Sequence, residues 1–124
     1  MILLLLRAYR ELIRFQIYLW RGDFAALHHS VQRLARREVN APAEQIAKTC
    51  HVMNVACVWY WTEVLCLQRS AATACLLRRY GVDAQLVVGA KMMPFKAHAW
   101  VEVDGRVVND KAYVTDSYGV LERI

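Results

Sequence analysis

The sequence predicts an α+β domain in which helices come first and a small antiparallel sheet comes last. Up to about residue 80, apolar side chains recur at the 3.6-residue spacing of helices. From "AQLVVGA", residues 84–90, they alternate with the two-residue spacing of strands. A chain of 124 residues suits one domain, and a hydrophobic fraction of 57% is enough to build a core. Helices followed by strands are typical of the α+β class.

The helical part is expected to contain four helices, over residues 2–20, 24–37, 42–60 and 66–80. Asp23 is suited to cap the second helix, Pro42 to open the third, and Gly81 to end the fourth. We expect a helical N-terminal arm over 1–40 and a second unit over 41–124. The apolar first helix has three interpretations: packing on its own domain, docking a partner protein, or lying on a membrane surface.

The strand part is expected to form a hairpin around Asp104-Gly105, joining "AHAWVEV" to "RVVND" (106–110), with a short strand or turn near the end of the chain. A two-residue loop would point His98 and Asp110 to opposite faces. A three-residue loop, with Gly105 left-handed, would place them opposite each other on one face. The turn residues suit both loops. We favour the second, because it gives both polar side chains a partner.

The formal net charge of +5 is scattered along the chain. Since no run of five or six like charges occurs, nucleic-acid binding is not indicated. The opening "MILLLL" is too short for a signal peptide, and no stretch of 18 apolar residues predicts a membrane span. We therefore expect a cytoplasmic protein with reduced cysteines. His28, His29 and Glu102 are expected to be solvated surface residues.

Cys66 differs from the other three cysteines because it opens a helix. The positive end of the helix dipole favours a thiolate there, whereas free cysteines elsewhere are expected to be buried. His98 could take the thiol proton, and Asp110 could orient the imidazole. No metal site is expected, because the adjacent Cys50 and His51 do not share a helix face.

Residues 66–110, "CLQRSAATACLLRRYGVDAQLVVGAKMMPFKAHAWVEVDGRVVND", resemble the leader peptidases of lasso-peptide biosynthesis. The shared pattern is CL-x-RS, LLRR-x-G, LV-x-G, PF-x-x-HAWVE and G-x-VVND, in that order. This family belongs to the transglutaminase-like, papain-related cysteine peptidases. The resemblance implies a transglutaminase-like cysteine peptidase core over 41–124, with Cys66 as nucleophile, His98 as general base and acid, Asp110 as orienting acid, and no cofactor.

The resemblance also implies a substrate and partners. The family removes the leader from a ribosomally made precursor peptide, and a separate ATP-dependent cyclase then closes the ring. Because the first 40 residues lack the strands of a fused leader-binding domain, we expect a stand-alone peptidase with a separate leader-binding protein (a RiPP recognition element). An acyltransferase or amidase with the same triad, or an inactive peptide carrier, are the alternatives. Trp100 is expected either to wall the substrate cleft or to pack, and Arg69 and Ser70 are expected to be structural.

Overall fold

The longer helices precede the strands along the chain, and one short helix lies before the last strand, which confirms the predicted α+β class. The computed structural model describes residues 2–33, 42–92 and 95–124. Within these ranges the helices are α1 (Ile2–Trp20), α2 (Phe24–Arg33), α3 (Ala43–Val58), α4 (Cys66–Arg79) and α5 (Val114–Ser117). The strands are β1 (Ala84–Lys91), β2 (Lys96–Val103), β3 (Arg106–Val107) and β4 (Gly119–Arg123).

The helix ends follow the predicted signals. The Asp23 carboxylate accepts a hydrogen bond from the Ala26 N–H at 3.0 Å, and so caps α2. Gly81 has a φ of +83° just beyond α4, and the Val82 N–H donates to the Leu77 carbonyl at 3.0 Å, which is the Schellman ending. The predicted end of the second helix and the boundary at residue 40 fall within 34–41, outside the described residues.

The sheet is antiparallel and has the strand order β3-β2-β1-β4. One face packs on α4 through Ala84, Leu86, Ala99 and Val101, and this layer joins the main core. The opposite face holds a smaller cluster built around Trp100. The predicted strand or turn near the end of the chain is the strand β4, which pairs with β1. The sheet therefore separates two apolar layers of unequal size.

The hairpin has a two-residue loop, so the favoured three-residue loop is wrong. Asp104 and Gly105 have φ angles of +52° and +74°, and Val103 pairs with Arg106. Positive φ at both central residues is the type I′ turn, which suits the strand twist and which aspartate tolerates better than most residues. The strand predicted over 106–110 is correct only for its first two residues, because β3 ends at Val107.

One face of α1 packs on its own domain, as the first of the three interpretations expects. Ala8, Leu12 and Phe15 have no exposed surface and belong to the main core. The opposite face is open to solvent, with Leu6 60% and Ile13 48% exposed. Across the described ranges, every helix falls short of the length or the apolarity that a membrane crossing requires.

Buried polar contacts join α1 to α4. The Glu11 carboxylate has no exposed surface, accepts a hydrogen bond from the Arg79 Nε at 2.6 Å and forms an ion pair with Arg14 at 2.7 Å. The Gln68 side-chain amide, 1% exposed, donates to the Leu12 carbonyl at 2.8 Å. Because Gln68 lies in the first turn of α4, this contact fixes the end of the helix at which the candidate site begins.

Candidate active site

His98 and Asp110 are hydrogen-bonded, although the predicted register is wrong. The His98 Nε2 and the Asp110 Oδ2 are 2.5 Å apart, and the side chains are 22% and 18% exposed. His98 lies in β2, and Asp110 lies on a bend beyond the end of β3. The predicted contact between the two side chains is confirmed, while their catalytic roles stay predictions.

The Asp110 carboxylate is held in its ionised form. Partial burial acts to raise its pKa, but the hydrogen bonds from His98 and from the Lys111 N–H, with the charges of His98 and Arg69, bring the pKa below the ordinary value of 3.8. An ionised carboxylate only accepts hydrogen bonds, so the His98 Nε2 carries the proton that joins the pair. In the neutral imidazole, Nδ1 is then the nitrogen that can accept a proton.

Cys66 is the first residue of α4, and its side chain is partly exposed. The preceding residue, Leu65, is an extended N-cap that makes no side-chain capping bond. The first-turn N–H groups therefore face the helix end without a capping oxygen from Leu65. Within the described chain, no hydrogen bond joins the Cys66 sulfur to the His98 ring. The structure thus brings together two of the three predicted catalytic side chains.

A family model described as the transglutaminase-like superfamily matches residues 10–123. The chain belongs to the transglutaminase-like superfamily. The microcin J25-processing protein McjB of Escherichia coli is 41% identical over 59 residues, a match that covers 48% of this chain and 28% of that protein. The chain thus spans less than a third of the curated relative. No solved structure matches it.

In this transglutaminase-like domain, the Trp100 ring packs beside His98 on the same face of β2. Its ring lies 6.1 Å from the imidazole, but it has no exposed surface. This burial favours the packing interpretation of Trp100, while its role as a substrate-binding cleft wall stays a prediction. The expectation of a solvated Glu102 is wrong. Its carboxylate, 3% exposed, accepts the indole N–H of Trp100 at 2.9 Å, because a buried indole needs an acceptor and both residues lie on one strand face.

Tyr118 and Ser70 belong to this region as well. The Tyr118 ring lies 5.3 Å from that of His98, and sequence reasoning missed it because it lies beyond the recognised motif. Ser70 has no exposed surface and donates to the Ala99 carbonyl of β2 at 2.9 Å, in keeping with its expected structural role. His28, expected on the surface, has a side chain that is 37% exposed, and its Nε2 lies 2.7 Å from the Glu122 carboxylate.

The other three cysteines are free thiols in or near the core of the transglutaminase-like domain. Burial raises the pKa of Cys50 and of Cys75 to about 11, and it raises the pKa of Cys57 as well. These thiols are therefore protonated at neutral pH and suit packing. In the part of the chain that the structure describes, no three His, Cys, Asp or Glu side chains gather closely enough to hold a metal ion.

Proposed function

We propose that this chain is a cysteine endopeptidase that removes the leader from a lasso-peptide precursor. The observation that carries the proposal is the hydrogen bond between His98 and Asp110, in a domain whose candidate nucleophile opens a helix. The transglutaminase-like family, the motif pattern over 66–110 and the likeness to a microcin-processing protein support it. The endopeptidase activity and the catalytic roles of the three residues belong to the proposal.

The geometry around Asp110 supports a single working site. Asp110 holds the Nε2 of His98, which leaves Nδ1 for the thiol proton. Arg69 lies one helical turn after Cys66, so the two side chains share a face of α4. The charge of Arg69 also acts on Asp110. Asp110 and Cys66 are therefore expected on the same side of α4, and peptide binding is expected to close the contact between thiol and imidazole.

The mechanism has two steps. His98 accepts the Cys66 proton, and the thiolate attacks the carbonyl carbon of the last leader residue. The first-turn N–H groups of α4 stabilise the oxyanion. As the intermediate collapses, the C–N bond breaks, His98 gives its proton to the leaving amine, and the core peptide departs with a new N-terminus. Water, deprotonated by His98, then attacks the thioester, releases the leader as a carboxylic acid and restores the thiol.

A pocket lined in part by Leu67, the residue that follows Cys66, is the candidate for a substrate side chain. It has a volume of about 240 Å³ and is lined largely by apolar side chains, among them Leu67, Val88 and Leu121. A larger cavity of about 510 Å³ lies between α3 and the hairpin, and Cys66, His98 and Asp110 line neither of the two pockets. We assign the smaller pocket to a substrate side chain, because Leu67 directly follows the nucleophile.

The partners in this proposal are the precursor peptide, a separate leader-binding protein and the ATP-dependent cyclase that takes the released core. The cytoplasm is the compartment proposed for all of them. The leader-binding protein binds the leader, and this chain hydrolyses the peptide bond between leader and core.

The test is mass spectrometry of the matching precursor after incubation with this chain and the leader-binding protein. We expect one cut that disappears in Cys66→Ala and persists in Cys57→Ala, a partly buried thiol outside the triad. Asp110→Asn should lower kcat by up to about 10⁴-fold, because the imidazole loses its orienting carboxylate. A cut that survives Cys66→Ala would refute the nucleophile. A product carrying an added amine would instead indicate an acyltransferase, and binding without any cut would indicate a peptide carrier.

A further inference from the structure

The observed register leaves the bond between His98 and Asp110 in need of an explanation. Val103 pairs with Arg106 and Glu102 with Val107, so the residue numbers of each pair add up to 209. If this ladder continued, the third further pair would set Asp110 opposite Ala99, and the fourth would set His98 opposite Lys111. Adjacent residues of a strand point to opposite faces, and therefore His98 and Asp110 would be separated by the sheet. Something must interrupt the ladder between residues 107 and 110.

The interruption occurs at Val101. The Val108 N–H donates to the Val101 carbonyl at 3.0 Å, as the ladder requires. In a regular antiparallel pair, the Val101 N–H would donate in return to the Val108 carbonyl. It donates instead to the side-chain oxygen of Asn109, at 2.7 Å. The Asn109 side-chain oxygen thus takes the place of the Val108 carbonyl as acceptor. The chain leaves the ladder immediately before Asp110.

Ser70 fixes the orientation of the Asn109 amide. The Ser70 hydroxyl donates its proton to the Ala99 carbonyl at 2.9 Å, so toward Asn109 it only accepts. The Asn109 Nδ2 donates to it at 3.1 Å, which turns the amide oxygen toward Val101. Ser70 has no exposed surface and lies four residues after Cys66 on α4. The three bonds therefore connect the nucleophile helix, the strand of His98 and the bend of Asp110.

We propose that Asn109, oriented by Ser70, is a positioning residue that ends the hairpin ladder and delivers Asp110 to His98, a role that rests on the proposed function for its catalytic meaning. Neither side chain touches the substrate. Their effect on catalysis passes through the geometry of Asp110. Without the amide oxygen, the Val108 carbonyl is free to take the Val101 N–H, and Asp110 moves to the face opposite His98.

The test compares Asn109→Leu, which has a similar shape and no polar atom, with Asn109→Asp, which keeps an oxygen for the Val101 N–H. The first readout is independent of activity. It combines the NMR titration of the Asp110 carboxyl carbon with the hydrogen-exchange protection of the Val101 amide. We expect Asn109→Leu to keep Val101 protected, which reports a folded hairpin, while the pKa of Asp110 rises from its lowered value toward 3.8 or above.

The second readout is cleavage of the precursor with the leader-binding protein present. Since a misplacement of about 1 Å near the reacting groups costs about 10²-fold, we expect kcat to fall by that order in Asn109→Leu with KM unchanged. Asn109→Asp should recover most of the loss. Ser70→Ala, which leaves the amide unoriented, should fall between the two variants.

The outcomes separate this inference from the proposed function. A low pKa of Asp110 and full kcat in Asn109→Leu would overturn the positioning role while the peptidase stands. Loss of Val101 protection in Asn109→Leu, together with equal loss of kcat in Asn109→Asp, would assign the residue a role in folding and would also overturn it. An Asp110 pKa that rises in Asn109→Leu, in a chain that never cleaves the precursor, would support the positioning and refute the peptidase.

Discussion

Gly89→Ala is predicted to destabilise the domain through Trp100. Gly89 pairs with His98 across the sheet. A methyl group there would lie 2.6 Å from Cη2 and 2.9 Å from Cζ3 of the Trp100 ring. The ring cannot swing away easily, because it has no exposed surface and its N–H is bonded to Glu102. Overpacking of this kind costs about 1–3 kcal/mol.

The cost converts into a measurable change in melting temperature. An unfolding entropy of about 2.1 cal/mol/K per residue gives about 260 cal/mol/K for 124 residues. Each kcal/mol then lowers the Tm by about 4 °C, so Gly89→Ala should melt about 4–12 °C below the natural chain. Thermal unfolding followed by circular dichroism measures this difference.

Gly119→Ala is the matched control. Gly119 is also a strand glycine, but its methyl group would meet nothing closer than the Ala90 carbonyl oxygen at 3.6 Å, an ordinary contact. Its Tm should stay within about 2 °C of the natural value. Equal melting of Gly89→Ala and Gly119→Ala would refute the steric argument.

Three further predictions concern charge and thiol chemistry. The pKa of Asp110 is depressed in the folded chain, so its stabilising effect is present above the unfolded value and is lost as pH falls through the folded one. As the pH is lowered from about 5 to about 2, the Tm of Asp110→Asn should therefore fall less than that of the natural chain. An equal fall in the two proteins would contradict this. Alkylation of the native chain, read by peptide mapping, should modify Cys66 well before Cys75, whose pKa burial raises to about 11, and the reverse order would refute the assigned exposure. Glu11→Gln should cost about 1–3 kcal/mol in urea unfolding, because two arginines lose a buried carboxylate, whereas the exposed Glu63→Gln should be nearly neutral.

Helix and strand positions could be predicted because their signals are local. The spacing of apolar residues, the cap at Asp23 and the glycine after α4 each act within a few residues of the element they define. The contact between His98 and Asp110 was also predictable, because partly buried polar side chains need hydrogen-bond partners and the motif contains both residues. These are the parts of the fold for which short sequence windows hold the necessary information.

The hairpin register and the buried charges could not be predicted in the same way. Asp104-Gly105 suits two loop lengths. In the observed two-residue loop, Asp110 can reach His98 because the Val101 N–H binds the Asn109 side chain and the ladder ends there. The local sequence around Glu11 predicts a surface charge, yet its carboxylate is buried and binds Arg79, which is 68 positions away along the chain. Such contacts depend on which helices pack together, which no local pattern specifies.

The burial of Trp100 gives the chain an optical probe of its own site. The other tryptophans, Trp20, Trp59 and Trp61, are 66–77% exposed, so an aqueous quencher such as iodide will reach them and spare Trp100. The fluorescence that survives quenching then comes from one indole, 6.1 Å from the His98 ring. This residual emission will therefore report, without any label, a change in the surroundings of the one indole that packs beside His98.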